Sequence, residues 1–168
     1  MGRKTHFLME SPIGTLTLLQ TDGVLSGLYT GTVRRGPGAG ELGERVWRGF
    51  EQAETELREY FEGKRQRFTI PLWIEGTAFQ KEVWERLCRI PFGETRSYGQ
   101  IAEAIGHAKA VRAVGLANGR NPISIVVPCH RVIGSDGSLT GYGGGIERKR
   151  FLLELEGALA PARQMTLV

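Results

Sequence analysis

The chain reads as an α/β protein in two parts. Residues 1–75 carry short strands that form a small antiparallel sheet, followed by one helix; residues 76–168 are mostly helical. Three observations support this. Leu16 and Leu18 alternate with Thr15 and Thr17 ahead of an Asp22-Gly23 hairpin turn. Apolar residues recur in three- and four-residue steps through Leu42, Val46, Phe50, Ala53, Leu57 and Phe61. Two short helical runs then flank Gly106 in a helix-turn-helix pattern. With 168 residues there is room for one ordinary domain or two small ones sharing an interface.

In order, the strands are expected at Phe7–Met9, Gly14–Thr21 and Val24–Tyr29, with the Ser11-Pro12-Ile13-Gly14 turn between the first two. Thr30–Gly40, rich in Gly with Arg34, Arg35 and Pro37, is expected to be a mobile loop. A helix is expected over Glu41–Glu62, stopped by Gly63. Phe68–Ile74 reads as a strand or linker, with Pro71 confining it to an edge. Beyond Glu75-Gly76, Thr77 caps a helix to about Arg89, in which Cys88 is expected to be core. Ser97 and Gln100 form a capping box for a helix over Tyr98–Ile105. A second helix is expected from about Ala108 to Asn118-Gly119, made largely of small residues around Arg112. Small side chains suit either a narrow groove or simple helix-on-helix packing. Ile146–Glu156 closes the domain as a helix, and an acidic residue at a helix C-terminus needs a specific partner, for which a histidine is suited.

Composition narrows the function. With 40% hydrophobic and 24% charged residues and no apolar run long enough to span a bilayer, a soluble protein with no membrane partner is expected. Arg3, Lys4 and His6 lead into a strand pattern rather than a signal peptide, so a cytoplasmic location is expected, with Cys88 and Cys129 as free thiols. Cysteine and histidine are too few for a four-ligand structural zinc, so no metal is expected. Basic and acidic residues balance at ten each in the first part, whereas the second holds twelve basic against eight acidic. The net charge of +4 thus lies wholly in the second part, which favours a polyanionic partner there.

The chemistry is expected at Ile125–Gly134, where a β-branched run read as a strand or extended segment delivers Pro128-Cys129-His130-Arg131. A thiol is nucleophilic as thiolate, and imidazole with nearby cationic charge lowers its pKa. A buried cysteine of purely structural use is the competing reading. The glycine-rich stretch Gly134–Gly145 around Tyr142 can be a close-fitting wall or a loose surface turn.

Taken together, Pro128-Cys129-His130-Arg131, Ser97-Tyr98, Arg112-Ala113-Val114-Gly115, Gly119-Arg120-Asn121-Pro122, Tyr142-Gly143-Gly144-Gly145 and the Leu-rich helix ending in Glu156 closely resemble the O6-alkylguanine-DNA alkyltransferases. The resemblance is dense over 77–156 and looser in the first part. It implies a ribonuclease H-like N-terminal domain and a winged helix-turn-helix-like C-terminal domain. It also implies direct reversal of DNA damage: an alkyl group passes from O6-alkylguanine, and by extension O4-alkylthymine, in duplex DNA to Cys129, irreversibly. By the same resemblance Arg112 fills the space left by the flipped nucleotide and Tyr98 assists its rotation, while Ala110, Ala113 and Gly115 fit the minor groove. His130 acts through a water as base for Cys129, oriented by Glu156, and Asn121 braces the thiol turn. The Cys129 and Val132 carbonyls select guanine, with Tyr142 and the Gly143 amide beside the alkylated oxygen. No cofactor takes part, and a monomer that can cluster on DNA is implied. Gly143 stands where some members have Ser, and Asn118, against the base, where some have a bulkier apolar residue, which bears on pocket width.

Three rival readings differ in what they leave unexplained. A non-catalytic lesion-binding relative lacks the cysteine that is present here. A Cys-His-Glu hydrolase leaves Arg112 and the helix-turn-helix without a use. A sequence-reading regulator needs Asn, Gln and several Arg reading base edges from its recognition helix, where the stretch Ala108–Ala117 offers one Arg among small residues.

Overall fold

The computed structural model describes residues 2–31 and 38–160. Strands β1 (Lys4–Ser11), β2 (Gly14–Thr21) and β3 (Val24–Thr30) form an antiparallel meander. Asp22 and Gly23 both adopt positive φ, the two-residue turn that the Asp-Gly step favours. Leu16 and Leu18 point into the core as the alternation requires. Of the expected mobile loop Thr30–Gly40, residues 32–37 lie outside the described residues.

The helix expected from Glu41 forms only as α1 (Glu51–Phe61). Its intended first turns are used otherwise: Glu44–Arg45 is strand β4, paired parallel to β1 at Thr5 and His6. Backbone groups bonded to a sheet are not available to a helix. Gly43, at positive φ, lies so close to the Lys4 carbonyl that any Cβ would clash with it, and Gly49 turns the chain into α1. Phe68–Ile74 is likewise not a strand. Leu72 makes a single bridge to Leu25, and Thr69 is tied to α1 by its backbone N–H and hydroxyl, both donating to the buried Glu56 carboxylate at 2.7 Å.

In the second part, α2 (Ala78–Leu87) and α3 (Tyr98–Ala104) both begin with complete capping boxes, Thr77 with Gln80 and Ser97 with Gln100. α2 ends before Cys88, which is exposed rather than core, because Val83, Trp84 and Leu87 take the inward positions. Helix α4 (Val111–Gly119) starts three residues later than expected. Ala108 and Lys109 stay in a turn closed by a bond from the Ala110 N–H to the His107 carbonyl, and no side chain caps the helix at Ala110. The Trp84 indole N–H donates to the Ala117 carbonyl at 2.8 Å and locks α4 onto α2. Two-residue strands β5 (Arg96–Ser97) and β6 (Val132–Ile133) pair in parallel, and α5 (Ile146–Leu155) closes the fold.

The two parts share one core. The Leu28 N–H donates to the Pro122 carbonyl and the Ser124 N–H to the Leu28 carbonyl, so the segment before the thiol docks on β3. Buried side chains continue without a break from Leu16, Leu18 and Leu57 to Val114, Val127 and Leu152. Among the described residues no helix is long and apolar enough to cross a membrane.

Candidate active site

The segment carrying the thiol is not the strand expected. Residues 124–127 form a tight turn and Cys129–Arg131 a single 3-10 turn, with only Val132–Ile133 in strand. Ile125, a β-branched residue 1% exposed, sits at φ +72°, a conformation such residues rarely adopt outside a constrained site. The constraint comes from Asn121. Its Nδ2 donates to the Val127 carbonyl at 2.7 Å and its Oδ1 accepts the Ile123 N–H at 3.0 Å, closing the turn from within. Asn118 adds a bond from Nδ2 to the Cys129 carbonyl at 3.3 Å. Cys129 thereby lies 5% exposed at the wall of a cleft. Burial raises its thiol pKa, and the Asn121 side chain and the Lys149 ammonium pull it back.

His130 is fully buried beneath it. Its Nε2 lies 2.7 Å from Glu156 Oε2. Burial lowers the imidazole pKa more than Glu156 raises it, so the ring rests neutral. A carboxylate can only accept, so the proton is on Nε2 and Nδ1 keeps its lone pair; Nδ1 is buried without a protein partner. Burial alone would raise the Glu156 carboxyl, but hydrogen bonds and charge from His130 and Arg131 outweigh it and hold the pKa at about 2.

Arg131 is used differently from the expectation that it would add charge beside the thiol. Its Nε and Nη2 donate to the two Glu156 oxygens at 2.7 and 3.0 Å, and its Nη1 to the Ile90 carbonyl at 2.7 Å. The cation acting on the thiol is Lys149 of α5. Its Nζ is buried, donating to the carbonyls of Val132 at 2.5 Å and Thr140 at 2.7 Å, and burial lowers its pKa to about 8, partly offset by Cys129. Sequence reasoning passed over Lys149, although Leu152 and Leu153 at i+3 and i+4 place it on the inward face. It also missed Tyr60, whose hydroxyl reaches Glu156 from α1.

An open cleft of about 1650 Å³ runs from Cys129 past Asn118, Ser124, Thr30 and Tyr142 to Gly143. Tyr142 is 8% exposed and its hydroxyl has no protein partner. The glycine-rich stretch is tied down by Arg148, which donates to the Gly144 carbonyl at 2.7 Å and to the Ile13 carbonyl of the β1–β2 turn at 2.8 Å. Tyr98 stands at the rim: its hydroxyl donates to the Thr140 carbonyl at 2.9 Å, and its ring packs beside Gly115 of α4.

The outer face of α4 presents Val111, Arg112, Ala113 and Leu116 to solvent, while Val114, Ala117 and Asn118 are buried. Leu116 is 57% exposed. Arg112 takes part in no ion pair among the described residues, and Ala110 and Gly115 are half-buried at the edges of this face. The structure therefore buries Cys129, on a turn braced by Asn121, next in the chain to a hydrogen-bonded His130–Glu156 pair, with Asn118, Tyr142 and Gly143 lining the cleft beside Cys129 and Val132 buried behind it. Arg112, Ala113 and Leu116 form a separate exposed face one helix away. Among the described residues no group of three or more His, Cys, Asp or Glu is placed to hold a metal ion.

Fold and site together define a two-part protein in which a helix-turn-helix stands next to a cysteine backed by a His-Glu pair. Comparison with known proteins agrees. The family model for the 6-O-methylguanine DNA methyltransferase ribonuclease-like domain matches residues 5–74, and that for the DNA binding domain residues 78–158. The methylated-DNA–protein-cysteine methyltransferase of Mycobacterium bovis is 52% identical over 158 residues, covering 92% of this chain and 93% of its own. That of Methanosarcina barkeri is 50% identical over 151 residues, covering 89% and 94%. The crystal structure of Mycobacterium tuberculosis O6-methylguanine methyltransferase superposes with a TM-score of 0.85 at 49% identity, over 95% of this chain and 96% of that one. The crystal structure of Mycobacterium tuberculosis OGT in complex with DNA gives 0.84 at 50% identity, over 94% and 96%. The chain belongs to the O6-methylguanine DNA methyltransferase family.

Proposed function

We propose that the protein is a methylated-DNA–protein-cysteine methyltransferase that repairs duplex DNA by moving an alkyl group from guanine O6 to the Sγ of Cys129. The observation that carries this reading is a buried cysteine on a braced turn, followed directly by a histidine–glutamate pair, with an exposed small-residue helix beside it. The outer face of α4 enters the minor groove, where Ala110, Ala113 and Gly115 permit close approach and Arg112 occupies the space vacated by the flipped nucleotide. Extrusion costs a few kcal/mol, least for a poorly paired base. Tyr98, at the rim of the cleft, meets the base as it turns.

The base enters the cleft with its alkylated oxygen toward Tyr142 and the Gly143 amide. The Cys129 carbonyl, which accepts from Asn118 Nδ2 and the Val132 N–H, and the Val132 carbonyl, which accepts from Lys149, face the exocyclic amine of guanine and select for it. Nδ1 of His130 takes the thiol proton through a water, while Glu156 stabilises the imidazolium so formed. The thiolate attacks the alkyl carbon, an S–C bond forms, and the C–O bond breaks with its electron pair passing to guanine O6. Lys149 supplies positive charge beside the forming thiolate. The product thioether has no leaving path, so each chain acts once. Asn118 and Gly143 set the width of the pocket and hence the alkyl groups accepted. O4-alkylthymine offers the same oxygen–carbon bond. The chain acts as a cytoplasmic monomer that can cluster on DNA, and needs no cofactor.

Substituting Cys129→Ala tests the division of labour. Transfer of a labelled methyl group from a lesion duplex is expected to vanish while affinity for that duplex stays within about twofold, since α4 is untouched. Loss of binding together with transfer would count against separate thiol and DNA-binding elements.

A further inference from the structure

The N-terminal part of the chain reaches the His130–Glu156 pair through Tyr60. Tyr60, on the buried face of α1 and 1% exposed, places its hydroxyl 2.6 Å from Glu156 Oε2. That oxygen also receives His130 Nε2 at 2.7 Å and Arg131 Nη2 at 3.0 Å. Three donors converge on one carboxylate oxygen, and the third comes from a residue ninety-six positions away. The Tyr60 ring is held by Phe61 and Phe68 at 5.4 Å and by Phe92 at 6.3 Å between centroids. Nothing in this packing needs a hydroxyl, and a phenylalanine would fill the same space.

We infer that Tyr60 is a positioning residue for the alkyl transfer, fixing Glu156 and tempering its pull on His130, so that the N-terminal domain sets the basicity of the relay. The inference rests on the proposed transfer to Cys129. Because a carboxylate has no proton to give, Tyr60 donates, and burial together with Glu156 raises its own pKa, so the donation persists across the working pH range. A hydrogen bond from Tyr60 disperses negative charge on the oxygen that His130 uses. Without it Oε2 holds the His130 proton more strongly, and the imidazole becomes the stronger base. The other charged or titratable groups facing this network are Arg131 against Glu156 and Tyr60, Tyr142 against Tyr60 and Cys129, and Lys149 against His130 and Cys129.

The test is Tyr60→Phe in the full chain, measured as single-turnover methyl transfer against pH with lesion-duplex affinity measured alongside. The acidic limb of the profile is expected to move to higher pH by about half a unit or more, as for loss of one bond to a shared buried oxygen. The plateau rate is expected to fall about threefold or more while affinity is unchanged, because Glu156, freed of one of its three donors, orients the imidazole less well, and this outweighs the gain in basicity. In a Glu156→Gln background the same substitution should produce no further shift, because the shared carboxylate is gone. Profiles that overlay at every pH, or a rate loss matched by an equal loss of affinity, would overturn the inference. NMR of the His130 imidazole in the DNA-free protein reads the same shift without any transfer. Failure of the unaltered chain to transfer methyl would therefore count against the Cys129 reading, and an unmoved His130 titration against Tyr60.

Discussion

Replacing Glu156 with Gln perturbs both stability and reaction, and the stability effect can be sized from the structure. The carboxylate side chain is fully buried and accepts from His130, Arg131 and Tyr60. Its pKa drops from 4.5 to about 2 on folding, a difference worth about 3 kcal/mol at neutral pH. Breaking a buried pair by removing one partner costs about 3–5 kcal/mol, because Arg131 would keep its charge with no anion beside it. The two routes agree, so Glu156→Gln is expected to lose about 3–5 kcal/mol at pH 7. The sign follows from a depressed folded-state pKa. The stabilisation is complete above pH 4.5 and is lost as pH falls through about 2. The unaltered protein therefore weakens toward the variant in acid, and the gap should narrow by about 2 kcal/mol between pH 7 and 3. Urea unfolding from pH 7 down to 3, followed by tryptophan fluorescence, measures this. A gap below about 1 kcal/mol, or one that stays constant with pH, would refute the reasoning. Transfer by this variant should be slower by about a hundredfold or more, with binding retained.

Asn121→Ala should cost about 1–3 kcal/mol, because it leaves the buried Ile123 N–H without a partner and the Val127 carbonyl with only the Cys129 N–H, and thermal unfolding reads the loss directly. Relaxation of the strained Ile125 should slow transfer in the same variant, so a change below about 0.5 kcal/mol with full activity would discard the bracing role. Arg112→Ala should weaken repair of duplex far more than reaction with the free alkylated base, since only duplex demands extrusion; equal losses would remove Arg112 from flipping. Affinity for duplex should fall steeply as salt rises from 50 to 200 mM, as counterions released by phosphate contacts require. A salt-insensitive complex would exclude such contacts.

Much of the site was readable in the residues. The need of Glu156 for a histidine partner could be inferred from local chemistry, Ser97 declared its capping box through Gln100 and Thr77 its cap, whereas Cys129-His130 alone left a structural cysteine open and the family resemblance gave the pair its roles. Local signals failed where tertiary demands overrode them. The period of three and four residues ran on through Leu42 and Val46, but the edge of β1 claimed Glu44–Arg45. The run Ile125–Val127 had the composition of a strand, yet Asn121 folds it into a turn, and no pattern in the run itself encodes a partner upstream. Cys88 looked internal by its neighbours but fell where α2 ended. Tyr60 and Lys149 were missed, because their bonds span ninety-six and seventeen residues and no local pattern encodes such partners. Arg131 next to the thiol suggested electrostatic activation, and only the fold shows its guanidinium turned onto Glu156.

The most direct test is the intact mass of the protein after mixing with a duplex that carries one O6-methylguanine, followed by peptide mapping. A gain of one methyl group per chain, located on Cys129 and not increasing with excess substrate, is the expected result. Tight binding of the lesion with no gain in mass, or a methyl group on any other residue, would contradict transfer to Cys129.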